Sequence, residues 1–202
     1  MTENKNTLAY KTALFISAAG NPLITFSVFI LFVTFKLFDA QKASWISLLV
    51  IGGVTLPVTV HSYRKTKKGH YTNFDISDRK QRENFYPFLL GLLSVSSVLL
   101  FVTGQPAGFC YGSLVFLAMV AVSFVINYRI KVSMHTSSSF YLALSLLKLS
   151  VTGGLLMLAF AFLISYSRLM LKRHTLIEVL AGGALGVAFG ALNYWVQCVT
   201  TP

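Results

Sequence analysis

Charged residues divide this chain into long apolar stretches, and those stretches predict its elements. Thr12 to Phe35 contains no Asp, Glu, Lys or Arg and is bracketed by Lys11 and Lys36, enough for one crossing of a hydrocarbon layer about 30 Å thick. Asn21-Pro22 punctuates it early. The run is too long for a cleavable signal peptide and ends in Phe-Lys-Leu-Phe instead of a small-residue cleavage site, so it reads as a retained anchor. Ala43 to Tyr63 predicts a second span, with Pro57 inside it, which packed membrane helices tolerate. Asn84 to Tyr128 is uncharged and too long for one crossing, and Gly104-Gln105-Pro106-Ala107-Gly108 breaks it into a helical hairpin. Thr175 to about Gln197, with Glu178 as its one charge, is the last span. Ser137 to Ser167 admits two readings: one long tilted helix, or two short ones meeting at Thr152-Gly153-Gly154, each of about 15 residues or roughly 22 Å.

The expected fold class is therefore all-α, a polytopic helical membrane bundle of about seven (six to seven) transmembrane helices in one domain over residues 1–202. Helix parity gathers the N-terminus, the Arg64–Glu83 loop, the Tyr128–Thr136 loop and the Arg168–His174 loop on one side. Of the 17 basic residues, 14 fall there, Lys36 and Lys42 fall opposite, and Lys148 lies within a helix. An excess of Lys and Arg marks the cytoplasmic side of a membrane protein.

Composition agrees with that picture. The chain is 55% hydrophobic and only 11% charged, with a mean hydropathy of +0.69, whereas soluble domains carry about 25% charged residues. Seventeen bases against six acids give a net charge of +11, which suits an anionic membrane surface or a phosphorylated substrate. Long apolar runs argue against a nucleic-acid partner. Cys110 and Cys198 lie far apart without metal-ligand spacing.

The scarcity of acids isolates one of them. Glu178 is the only acid after Glu83 and lies four residues after His174, so on a helix its carboxylate can orient that imidazole. Ser167 and Arg168, just upstream, add a hydroxyl and an anion-binding fork. On the same side, Asn127–His135 carries Lys131, Ser133 and His135, and Asp75–Arg82 carries Arg79 and Arg82 at i,i+3 spacing, where they could face a phosphate together. The Arg64, Lys65, Lys67 and Lys68 run reads as topogenic, His61 and His70 as bystanders, and Tyr194 and Trp195 as interfacial aromatics.

These segments resemble the type 2 phosphatidic acid phosphatases and their vanadium haloperoxidase relatives. Ser167-Arg168, five residues, His174, three residues and Glu178 match the third motif S-R-x5-H-x3-D, with Glu in place of Asp and Val179-Leu180-Ala181-Gly182 following. Lys131-Val132-Ser133-Met134-His135 fits a K-x-S-x-H form of the second motif, which is P-S-G-H elsewhere. The first motif, K-x6-R-P, is the least well matched: Thr72 stands seven before Arg79 and Asp75 seven before Arg82, and neither arginine precedes a proline. The resemblance implies His174 as a nucleophile that becomes a phosphohistidine, Glu178 as its orienter and His135 as the general acid. It further implies Arg168 and Ser133 as phosphate ligands, Arg79 or Arg82 as the first-motif cation, Lys131 or Lys68 in place of the missing lysine, no metal or other cofactor, and a lipid phosphate substrate in a bacterial cytoplasmic membrane. His135 and His174 must then meet at one phosphate. That requirement selects two short helices turning at Gly153-Gly154, hence seven crossings. A catalytically impaired relative that binds anionic or isoprenoid lipids is the alternative, and a transporter is disfavoured because the charges cluster in loops at one face.

Overall fold

The structure, a computed structural model, describes residues 7–200, all of whose regular elements are helical. The first six and last two residues, whose sides helix parity assigns, lie outside the described ones.

The expected Asn21-Pro22 punctuation is a bend: α1 (Leu8–Ala19) and α2 (Pro22–Leu37) meet at 52°. Asn21 caps α2 by accepting from Leu23 N at 2.9 Å, and Pro22 occupies the first turn, where its missing N–H has no intrahelical role. The second span is a continuous rod over Ala40–Lys67, made of α3 (Ala40–Ser47), a π-helical segment (Leu48–Thr55) and α4 (Leu56–Lys67). The π register directly precedes Pro57, and such local adjustment lets a membrane helix absorb a proline. The hairpin forms as expected from α5 (Arg79–Val102) and α6 (Ala107–Asn127), turning through Gly104 at φ 64°. After α7 (Met134–Leu147) and α8 (Val151–Met170) comes α9 (Leu176–Thr200).

Two helices do divide Ser137–Ser167, but the break lies at Lys148–Ser150, so Lys148 caps α7 and is not inside a helix. Gly153 and Gly154 form the first turn of α8, where Ser150 caps by accepting from Gly153 N at 3.1 Å. The glycine pair is used for packing and not for turning: a Cβ on Gly154 would fall 2.8 Å from Leu147 Cγ.

Five helices are long and apolar enough to cross a membrane, and the bent pair α1 and α2 makes six if it is one span. At 14 residues, about 21 Å, α7 falls short of that length. Ten of its 14 residues are buried, which shields its serines from lipid. It packs most extensively against α9 and α8. Gly182, Gly186 and Gly190 recur every fourth residue along α9 and let it approach α7 closely: a Cβ on Gly182 would lie 2.7 Å from Ser133 O, and one on Gly186 would strike the Ser137 carbonyl. The interior is otherwise polar for a helical protein, with Ser123, Asn127, Ser137, Ser138, Ser145 and Asn193 buried, while Val95, Val98, Val125, Leu155, Leu156 and Phe162 are exposed on the outer faces. Apolar outside and hydrogen-bonded inside is the pattern of an integral membrane protein.

Candidate active site

Four connections meet at one end of the bundle: the α1–α2 bend, residues 68–78, residues 128–133 and residues 171–175. The 171–175 connection is the most locally determined. Arg168 O accepts from both Arg173 N (3.1 Å) and His174 N (3.4 Å), and Lys172 takes a left-handed φ of 51° to close the turn. Thr175 and Glu178 form a reciprocal capping box at the start of α9: Thr175 N donates to Glu178 Oε2 at 3.1 Å and Glu178 N donates to Thr175 Oγ1 at 3.4 Å. The same Oε2 accepts from His174 Nδ1 at 2.8 Å. One carboxylate thus starts the helix and orients the imidazole. A Thr-x-x-Glu pattern before an apolar run carried that capping signal in the sequence.

His174 is buried, and its pKa is lowered to about 2, first by burial and then by Arg82, Arg168, Lys131 and His135. It is therefore neutral near pH 7. An ionised carboxylate only accepts, so the ring proton sits on Nδ1 and Nε2 presents a lone pair. That Nε2 is buried and makes no hydrogen bond to any described residue, as do His135 Nε2 and both Nε and Nη2 of Arg168. Arg168 is fully buried, and its remaining Nη1 donates to Ser17 Oγ (2.7 Å) and Asp75 Oδ2 (2.9 Å). Buried polar atoms are normally hydrogen-bonded, so a guanidinium edge and two imidazole nitrogens without partners describe a cradle for an anion.

Ser133 and Lys131 lie beside it. Ser133 caps α7, and its hydroxyl accepts from Thr136 N (3.5 Å) and Thr136 Oγ1 (3.0 Å), which leaves its own proton to give. Ser133 N donates to Glu178 O at 3.2 Å, joining the second-motif segment to the third. Lys131 Nζ donates to Arg173 O at 3.0 Å and stands 3.6 Å from Glu178 Oε2. Lys68, at the end of α4, is exposed.

Arg79 and Arg82 separate, contrary to the expectation that they face one phosphate. Arg79 is exposed, its Nη1 donating to Tyr128 O at 3.1 Å. Arg82 is buried and ties two connections together, Nε to Ile76 O at 2.8 Å and Nη1 to Val132 O at 2.7 Å. Ile76 is held at φ 50°, a left-handed conformation costly for a β-branched side chain. Their partners account for the split: Arg79 reaches outward to the Tyr128 carbonyl, while Arg82 is drawn inward to those of Ile76 and Val132.

Asp75 is the residue sequence reasoning missed. It stands where the first motif has its lysine, seven before Arg82, and reverses that charge. Its Oδ2 accepts from Arg168 and Arg173, and its Oδ1 accepts from Asn21 Nδ2 at 3.3 Å and lies 3.9 Å from His135 Nε2. Burial pushes the carboxyl pKa up, but His135, Arg168 and Arg173 outweigh it and hold Asp75 below the ordinary range. The only available signal was the K-x6-R spacing, occupied by an acid.

Among the described residues no three His, Cys, Asp or Glu side chains gather closely enough to hold a metal ion. Comparison with known proteins finds no family model that matches this chain, and no curated protein or solved structure similar to it.

Proposed function

We propose that this chain is an integral membrane lipid phosphate phosphatase that needs no metal. The observation that carries the reading is the set of buried donor and lone-pair atoms left without partners on Arg168, His174 and His135, beside the His174–Glu178 hydrogen bond of 2.8 Å. His174 Nε2 attacks phosphorus, the bond to the lipid oxygen breaks, and His135 delivers the proton that the leaving alkoxide takes up. Water then cleaves the phosphohistidine with His135 returning as base, releasing phosphate and restoring neutral His174. Arg168 and Ser133 hold the equatorial oxygens as charge accumulates. Glu178 stabilises the cationic imidazole while the N–P bond exists. Asp75, 3.9 Å from His135 Nε2, favours a proton on that nitrogen.

In this reading α7 is a short crossing sheltered inside the bundle, which makes seven passes, and the surplus of basic residues puts the site on the cytoplasmic face. Thiol labelling of Lys67→Cys in intact cells checks the side: protection from an impermeant reagent is expected, and labelling would reverse the orientation. The activity test is release of inorganic phosphate from phosphatidic acid, phosphatidylglycerol phosphate and polyprenyl phosphates in chelator. His174→Ala should abolish it, a loss of at least about a thousandfold; full activity in that variant overturns the reading.

Asp75 supports a second reading, a lipid-binding protein without turnover, because its carboxylate already neutralises Arg168 of the cradle and the neighbouring Arg173. Tight binding of lipid phosphates with no phosphate released from any of them would favour it.

A further inference from the structure

A cavity of about 550 Å³ runs through the interior between α2, the Ala40–Lys67 rod, α5, α6 and α7. Asp75, Arg82 and His135 line one end of it, and Phe38, Lys148 and Gln197 line the other. Along α5 its wall extends from Arg82 to Leu100, which at 1.5 Å per residue is about 27 Å, close to the thickness of a bilayer's hydrocarbon core. Between the ends the wall is made of side chains such as Phe26, Ile30, Val54, Leu93 and Phe116. A cavity of about 550 Å³ continuous over that length has room for an extended hydrocarbon chain.

The cavity also meets the site on a particular side. His135 is on its wall, whereas His174 and Glu178 are not. In an in-line displacement the leaving oxygen departs opposite the nucleophile, so a lipid alcohol released from phosphorus must extend from the His135 side. That is where the cavity begins.

We infer that this cavity is the tail site of a lipid phosphate substrate, holding a long hydrocarbon chain extended through the bundle toward the opposite membrane face, and that its length limits the chain it accepts. The inference rests on the phosphatase reading for its direction and goes beyond it in placing the chain inside the bundle instead of in the surrounding lipid and in setting a limit on its length. A carbon–carbon bond advances an extended chain by about 1.2 Å, a third of the rise of an extended residue, so the cavity takes about 22 carbons. Because the chain leaves lipid and not water, burial inside the protein supplies little hydrophobic gain. Selection is therefore steric, and obstruction is the informative perturbation.

Leu93 lies eleven residues beyond Arg82 on the cavity wall and Ser97 fifteen, about 16 Å and 22 Å along the helix. The experiment measures phosphate release by the full chain in nanodiscs from decyl, tetradecyl and eicosyl phosphate and from dioleoyl phosphatidic acid. In Leu93→Trp the eicosyl-to-decyl rate ratio is expected to fall at least tenfold, in Ser97→Phe less, and in Val98→Trp, whose side chain is exposed on the outer face, not at all. An unchanged ratio in Leu93→Trp, in protein with the melting temperature of the parent, overturns the tail site. If the parent releases phosphate from none of them, the phosphatase reading has failed. The tail site is then judged by native mass spectrometry of eicosyl phosphate binding, which Leu93→Trp should abolish; retained binding counts against it.

Discussion

The segments Arg168–Glu178 and Asp75–Arg82 meet at the same end of the bundle, yet they are built in opposite ways. The first is assembled from near neighbours: Arg168 O closes the turn on Arg173 and His174, Thr175 and Glu178 cap each other, and His174, just before α9, bonds to Glu178 in its first turn. The second is assembled from remote partners: Asn21, Arg168 and Arg173 hold Asp75, while Ile76 O and Val132 O hold Arg82. The local segment has its donors and acceptors oriented before a ligand arrives. The remote one depends on every connection at that end of the bundle being in place, so its residues serve architecture as much as chemistry.

Substitutions can break this contrast, and the largest expected effect falls on the local segment. Glu178→Gln keeps an oxygen for His174 Nδ1 but removes the charge that stabilises a cationic imidazole, so phosphate release should fall by about a hundred- to ten-thousandfold with the helix start largely preserved. A loss below tenfold would mean that Glu178 is chiefly a cap. On the remote segment, Arg82→Ala strands two buried carbonyls at a cost of about 3 kcal/mol. It should appear as a melting temperature several degrees lower with activity falling in step, and lost activity at unchanged stability would make Arg82 a direct phosphate ligand.

Acidification separates the two segments more gently. His174 stays neutral in the folded protein because its pKa is about 2, whereas an exposed histidine takes up a proton below about 6.5. From there downward the unfolded chain binds more protons, so stability falls as pH falls. Asp75, whose folded pKa is also lowered, adds to this only below the ordinary carboxylate range. The melting temperature in detergent should decline from pH 7 to pH 5, less steeply in His174→Ala; equal slopes would place the titrating group elsewhere. The smallest effect is expected at the rim, where Arg79→Ala loses one exposed hydrogen bond to Tyr128 O and should leave turnover within about twofold.

The same contrast explains which features the sequence made legible. Apolar run lengths located α2, the Ala40–Lys67 rod, α5, α6 and α9 but left Ser137–Ser167 open between one helix and two, and the Gly104–Pro106 turn and the Asn21-Pro22 bend followed from residues that break helices by their own chemistry. His174 and Glu178 were legible because they stand four residues apart, a separation that the capping turn ahead of α9 closes much as a helix would. The turn between α7 and α8 was misplaced because glycine serves both turns and close packing, and only the presence of Leu147 against Gly154 distinguishes them. Asp75 was missed and Arg79 over-read for a related reason: spacing places residues on a face, but the sign of the charge a pocket accepts depends on partners 54 to 98 positions away along the chain, such as Asn21 and Arg173.

The glycine ladder on α9 has a mechanical consequence. With Gly182, Gly186 and Gly190 leaving no clearance against α7, the two helices that carry His135 and Glu178 move as one body, and a side chain cannot swing between them.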